Sequence, residues 1–442
     1  MARPSLRSIG AQFLLVLYFL IGLLVPPLFA EAMVKKPIQA LAADQMIPRM
    51  ETLWKGHYEA YFQRAFASVT LSGNQIAERL QVLQQETGKR MAVLWLTSEE
   101  TELVSLVALP GRAPLGYHLP EANRAKVQQV SQAFIADLTR PSTRRHYLTT
   151  GKQLYDWIIA PIAPALEQAQ IDTLIFCVGK GLRSVPFAAL YDGQQFLVEK
   201  YGITRIPGFN LSTIAKGNLK NAQVLALGAS EFQDKPALPG VATELETIAQ
   251  IPWPGEFLLN QPFSIQGFSQ LRQGQPFKIV HLATHADFLP GTPEQSYIQF
   301  GNRRLTLAQM GELNLNNPPV DLLVLSACQT AVGNEDAELG FSGLAIQAGV
   351  RSALASFWSV SDAGTLALMS EFYQRLHQTG DKAKALQETQ KAMIRGEVYL
   401  KKEALVSSRG VLPLPLVLQT AKASDLSHPF YWAGFSLIGS PL

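Results

Sequence analysis

Two cysteines in 442 residues are too few for a disulfide framework or a four-thiolate zinc site, so Cys177 and Cys328 act as single thiols. Charge of one sign is also scarce. The formal net charge is +3, and without a basic field a nucleic-acid partner is not expected. No glycine-rich phosphate loop follows any apolar run, no His-Glu-x-x-His pair is present, and no 34-residue period repeats. Nucleotide binding, a helical metalloprotease site and a helical repeat array within this chain are therefore not expected, nor is a cofactor. What the chain does have is apolar substance. With 47% hydrophobic and 17% charged residues it can build one large core or two joined ones.

The N-terminus is of a different kind. Arg3 and Arg7 precede the apolar run 13–25 (FLLVLYFLIGLLV), then Pro26-Pro27 and the small-residue stretch 29–32. This is the pattern of a secretory signal peptide. Read instead as apolar from 9 to 29, the stretch just suffices to cross a bilayer core of about 30 Å at about 1.5 Å per residue, as a retained anchor. Both readings stand. Either makes the protein exported (periplasmic or extracellular) or tethered to a membrane through residues 9–29.

The remainder divides into a helical linker (33–72), an N-terminal α+β lobe (73–170) and a larger sheet domain (171–442). Apolar residues at helical spacing predict a helix over 44–69, whose aromatic stripe Trp54, Tyr58, Tyr61 and Phe62 reads as packing, and another over 75–86. Runs 91–97 and 102–108 around a polar turn predict an antiparallel hairpin, and helices follow at 121–138 and 151–167. From residue 172 short apolar runs alternate with helical patterns. Strands are predicted at 173–178, 223–228, 278–283, 321–326, 352–358 and 432–438, and helices at 241–251, 339–348, 363–377 and 382–395. The fold class is α/β: a mostly parallel six-stranded sheet with helices on both faces. Chemistry in such sheets gathers at the carboxyl ends of the strands.

Two strand ends carry chemistry. One runs KIVHLA into Thr284-His285-Ala286-Asp287, the other DLLVLS into Ala327-Cys328-Gln329-Thr330. His285 and Cys328 are 43 positions apart, and the stretch between them holds a hairpin-like segment and one helix, enough for a crossover to an adjacent parallel strand. A thiol becomes a useful nucleophile near neutral pH when a base or cation stands beside it, and imidazole is either. Backbone N–H groups in the turns that follow suit an oxyanion. The bland alternative is a packed cysteine and a hydrogen-bonded histidine at two unrelated strand ends.

The chain resembles the CHAT family of caspase-like domains over approximately residues 75–442. The resembling blocks stand in order: LRSVPFAAL from Leu182, ALPGVATELETI from Ala237, IVHLATHADF from Ile279, LLVLSACQTAVG from Leu322, GLAIQAGVRSALASFWSVSD from Gly343 and HPFYWAGFSLIG from His428. The resemblance implies a caspase-like fold and a Cys-His dyad of His285 and Cys328, hydrolysing peptide bonds through an acyl-enzyme. It implies an oxyanion site from the backbone at Ala286 and Cys328, a protein or peptide substrate, and a regulatory protein partner. Where relatives carry Gly after the histidine this chain has Ala286, which keeps the N–H but disfavours left-handed backbone. The block at the first predicted strand, from Phe176, reads FCVGKG where relatives commonly carry Pro-Asp-Gly. The alternative is a CHAT scaffold with weak or no activity, serving as a signalling or assembly module.

Other residues have two readings. In separases a block similar to FWSVSD places acidic residues against a basic P1 side chain; Ser359 and Asp362 occupy those positions, making Asp362 the candidate substrate-pocket residue. Asp362 equally suits the N-cap of a helix starting at Ala363. Glu335, Asp336 and Glu338 read as a solvated loop that lines the same cleft at most. His281 with His285 is a rival metal pair, but on a strand this spacing does not make a ligand pair, and His281 reads as a core histidine. Cys177, Trp358 and Trp432 read as packing or cleft wall.

Overall fold

A computed structural model describes residues 35–442 except 67–68, 141–144, 218, 220–221, 251–252, 274, 302, 331 and 420–424; the side chains of Gln250, Cys328 and Val417 are likewise outside the described set. The leader at 1–32 therefore lies outside the described residues. Among those described, no helix is long and apolar enough to cross a membrane.

The first half contains β1 (Lys36–Ile38), α1 (Ala40–Phe62), α2 (Gly73–Thr87), β2 (Met91–Ser98), β3 (Leu103–Ala108) and β4 (Leu115–Leu119). After them come α3 (Arg124–Leu138), α4 (Tyr147–Ile158), α5 (Ala163–Gln168), β5 (Thr173–Val178), α6 (Leu197–Lys200) and β6 (Gly202–Ile206). Local signals set several of these ends. Ser72 and Gln75 close α2 with a reciprocal capping box, and Gly88 ends it at φ 73°. Asn123 caps α3. The helix expected over 151–167 is instead two, with Pro161 between them, because a proline in a helix interior removes an N–H and clashes with the preceding turn.

The second half contains β7 (Val224–Gly228), α7 (Val241–Gln250), β8 (Gly255–Leu259), α8 (Ile265–Arg272), β9 (Ile279–Phe288), β10 (Tyr297–Phe300), β11 (Arg303–Thr306) and β12 (Leu322–Thr330). It continues with α9 (Glu335–Ser342), α10 (Leu344–Ala348), β13 (Ser352–Ser356), α11 (Asp362–Thr379) and α12 (Lys382–Ile394). A separate antiparallel sheet, β14 (Tyr399–Lys401), β15 (Ala404–Ser407) and β16 (Gly410–Pro413), precedes the last strand, β17 (Phe435–Gly439).

Among the described residues one sheet of 14 strands runs through both halves in the order β8-β7-β9-β12-β13-β17-β6-β5-β2-β3-β4-β1, with the β10–β11 hairpin paired to the far end of β9. The parallel core is β8, β7, β9, β12 and β13, and β17 joins β13 antiparallel. All six predicted strands form, but the sheet is larger than six. The strand at 173–178 is not a neighbour of the others, since β6 separates it from β17, and the unread strand β8 completes the group around β9. β2 pairs parallel with β5 from Met91↔Thr173 to Leu96↔Val178, so hydrogen bonding is unbroken where the N-terminal strands meet the rest.

Arg205 on β6 fastens the middle. Fully buried, it donates to the Arg183 carbonyl, to the Val185 carbonyl at 2.9 Å and to Ser436 Oγ at 2.9 Å, and its guanidinium lies 4.5 Å from the Phe357 ring centre. Burial pulls its pKa down to about 9. The stripe Trp54, Tyr58, Tyr61 and Phe62 on α1 is buried, as packing requires. Tyr61 and Phe62 meet Gly340 and Gly343, so α1 rests on the helices that follow β12.

Candidate active site

Both strand ends reach the same rim. β9 and β12 are adjacent and parallel, and after a register shift between Leu325 and Ala327 the Cα partners are Ala327↔His285 and Cys328↔Ala286. The backbone of Cys328 is thus one register step from that of His285, while its side chain lies outside the described residues.

Side chains alternate along a strand, so His281, Ala283, His285 and Asp287 share one face of β9. His285 is half-buried, with Nε2 at 2.8 Å from the Pro236 carbonyl. A carbonyl only accepts, so Nε2 carries the hydrogen and Nδ1 holds the free lone pair of the neutral ring. The Phe232 ring meets the imidazole edge-on at 4.6 Å. Both contacts come from the loop after β7, which sequence reading did not connect with His285. A backbone carbonyl has no side-chain signature, so the sequence gives no sign of this contact.

His285 opens into a cavity of about 310 Å³ at the carboxyl ends of the strands, where Glu244, Asp287, Gln329, Ser359 and Asp362 also line it. Asp362 therefore shares a cleft with His285. It is not the cap of its helix: Ser361 is, accepting from Gly364 N at 3.3 Å, and Asp362 is the first helical residue, where an anion suits the helix dipole. Its Oδ2 instead accepts from Gly240 N at 3.3 Å. Burial raises the Asp362 pKa; the Gly240 N–H opposes this, Glu244 adds to it and His285 opposes it.

His281 is buried, with Nδ1 3.1 Å from Tyr373 Oη and Nε2 2.9 Å from Glu244 Oε1, the latter an ion-pair approach rather than an aligned hydrogen bond. This is the core histidine expected of the sequence. Among the described residues no three of His, Cys, Asp and Glu are grouped to hold a metal.

Ala286 is buried in the strand, with Cys328 on one side and Ile298 of β10 on the other. It is not among the residues at positive φ, so alanine costs nothing in conformation here. Its amide lies within the sheet, directed at one of two paired neighbours.

Glu335, Asp336 and Glu338 depart from the expected solvated loop. They form the first turn of α9 and do not line the cavity around His285. Glu335 pairs with Lys180 at 2.6 Å and approaches Arg183 at 3.5 Å, and Asp336 accepts from Gly291 N at 3.0 Å. Glu338 is buried, accepting from Ser184 Oγ and from Gly333 N at 3.0 Å, and burial raises its pKa. Trp358 and Trp432 are packed, their indole N–H groups donating to the carbonyls of Phe430 and Ser427.

Comparison with known proteins gives a family and several relatives. The chain is 24% identical over 353 residues to human tetratricopeptide repeat protein 28, covering 65% of this chain and 13% of that protein. Among solved structures it is similar to the Saccharomyces cerevisiae separase–securin complex, with 11% identity and a TM-score of 0.48, covering 83% of this chain and 31% of that one. It is also similar to the Arg-specific cysteine proteinase gingipain R, with 10% identity and a TM-score of 0.38, covering 71% and 74%. The chain thus spans only a small part of the first relatives it matches. The model of the CHAT domain matches residues 148–440, more than half of the sequence, and every residue of the β9–β12 rim falls inside that match; the chain belongs to the CHAT domain family.

Proposed function

We propose that this chain is a cysteine endopeptidase of the caspase-like type, with Cys328 as nucleophile and His285 as its base. One observation carries the reading: on the strand end adjacent to that of Cys328, His285 has its Nε2–H committed to the Pro236 carbonyl, and among the described residues Nδ1 has no hydrogen-bond partner, so Nδ1 is the nitrogen left to take a thiol proton. Proton transfer from Sγ to Nδ1 gives a thiolate and an imidazolium. The thiolate attacks a peptide carbonyl, the imidazolium protonates the departing amine, and water hydrolyses the thioester. Asp362 and Glu244 both line the cleft and make it acidic, suited to an Arg or Lys side chain before the scissile bond. Protein substrates, a regulatory protein partner and a tether through residues 9–29 are part of the same proposal.

The test is peptide-library cleavage by wild type, Cys328→Ala and His285→Ala. Cleavage after basic residues that disappears in both variants supports the reading; equal turnover by wild type and Cys328→Ala ends it. One observation favours the second reading, an assembly scaffold. Ala286 has a strand on each side, Cys328 of β12 and Ile298 of β10, so its amide faces a sheet neighbour before any oxyanion. On that reading no peptide in the library is cleaved, while the folded chain still binds its partner.

A further inference from the structure

Lys235 immediately precedes Pro236, whose carbonyl holds His285. Its Nζ donates to Asp287 Oδ2 at 2.5 Å, the lysine and aspartate side chains being 24% and 12% exposed. Asp287 lies two residues beyond His285 on β9, so one strand face presents both the imidazole and the anchor for the loop that grips it. Tyr297, the register partner of Asp287 on β10, completes the enclosure with its ring centre 5.6 Å from Lys235 Nζ. The far side of the loop is closed separately: Leu238 N donates to the Ser230 carbonyl at 2.9 Å, and Ser230 N donates to Asn260 Oδ1 at 2.8 Å. The Pro236 carbonyl is thereby fixed from two directions, and among the described residues the Lys235–Asp287 pair is the ion pair that ties this loop to the strand that carries His285.

We propose that Lys235 and Asp287 are positioning residues, an ion-pair clamp that holds the Pro236 carbonyl against His285 Nε2–H and keeps Nδ1 as the basic nitrogen. The clamp touches no reacting atom. It acts through the tautomer and orientation of the ring, as second-shell partners of functional histidines do. The pair is largely buried, at 24% and 12% exposure, so removing one partner also costs stability, and the ring readout is therefore taken together with thermal melting and the charge exchange. The inference rests on the peptidase reading only for its kinetic consequence; the tautomer stands by itself.

The experiment reads both separately. In protein carrying ¹⁵N-labelled histidine, the His285 ring signals are assigned by their loss in His285→Ala, and the tautomer is read from long-range ¹H–¹⁵N correlations. Wild type is expected to show the Nε2–H form. Lys235→Met and Asp287→Asn are expected to shift it to a mixture. Peptide turnover in both falls roughly 10- to 100-fold in kcat with KM within about twofold, part of the 10²–10⁴ that a placed base contributes. The exchange Lys235→Asp/Asp287→Lys restores the Nε2–H form, and thermal melting identifies any single variant that has lost its fold. An unchanged tautomer in both single variants overturns the clamp, as does a rise in KM with kcat intact. If wild type cleaves no peptide while the tautomer still responds to both variants, the peptidase reading fails and the clamp survives.

Discussion

Glu51 offers a direct trial of how the first helix is held. It sits on α1, 3% exposed, and its carboxylate accepts from Trp95 Nε1–H at 2.6 Å, Phe209 N at 2.8 Å and Asn210 N at 3.0 Å. Glu51→Ala strands three buried donors. Each costs about 1–3 kcal/mol if left unpaired. Water entering the vacated space recovers some of this, and the cost of burying the carboxylate disappears. A net loss of about 3–5 kcal/mol remains, the range for breaking a buried charged network, against a total of about 5–15 kcal/mol for a domain. Glu51→Gln keeps one acceptor oxygen and is expected to lose about 1–2 kcal/mol. Burial raises the Glu51 pKa, opposed by the N–H groups around it. The folded state therefore binds this proton more tightly than the unfolded one. Its contribution is present below the ordinary value of 4.5 and is lost as pH rises through the raised folded value. Denaturant titration of the three proteins across that range measures both effects. A Glu51→Ala loss below about 1 kcal/mol, or the same pH slope in wild type and Glu51→Gln, would refute the reasoning.

Two further outcomes are expected. Asp362→Asn should lower kcat/KM for substrates with Arg or Lys before the scissile bond by roughly 10- to 100-fold, the worth of about 1.5–3 kcal/mol for a charged hydrogen bond, with little effect on a neutral substrate. Because the Asp362 pKa is raised, the preference for basic substrates should strengthen as pH rises through that value, and a peptide series assayed against pH reads it. Gly343→Ala should destabilise the protein by about 1–3 kcal/mol, since an added Cβ there would lie 2.5 Å from Phe62 Cε2 between α9 and α10; the denaturation midpoint measures it.

What the sequence revealed follows physical lines. β5, β7 and the first parts of β9 (279–284) and β12 (322–326) are buried on both faces, so their runs are largely apolar and could be read at once. β6 is equally central, but it reads GITRI: Thr204 and Arg205 are polar and buried, satisfied by the carbonyls of Leu437, Gly439 and Val185 that no local pattern discloses. β8 is an edge strand exposed along most of its length, and so has no apolar stretch to notice. The helix expected over 339–348 begins earlier and breaks at Gly343, because acidic residues at 335–338 suit a first helical turn as well as a loop. At the site, the rule of strand carboxyl ends located the histidine and the cysteine together. The grip on His285 comes from a loop about 50 residues earlier, through a carbonyl, and sequence distance hides such a contact.

The most direct measurement is the rate at which iodoacetamide alkylates each thiol near neutral pH, followed by mass spectrometry in wild type and His285→Ala. Cys177 is fully buried with its pKa raised well above 9.0 by that burial, and serves as the inert internal reference. If His285 activates the nucleophile, Cys328 reacts far faster than an ordinary thiol in wild type and falls back roughly 10- to 100-fold in His285→Ala, while Cys177 stays unlabelled in both. A Cys328 rate that is the same with and without the imidazole would contradict the dyad.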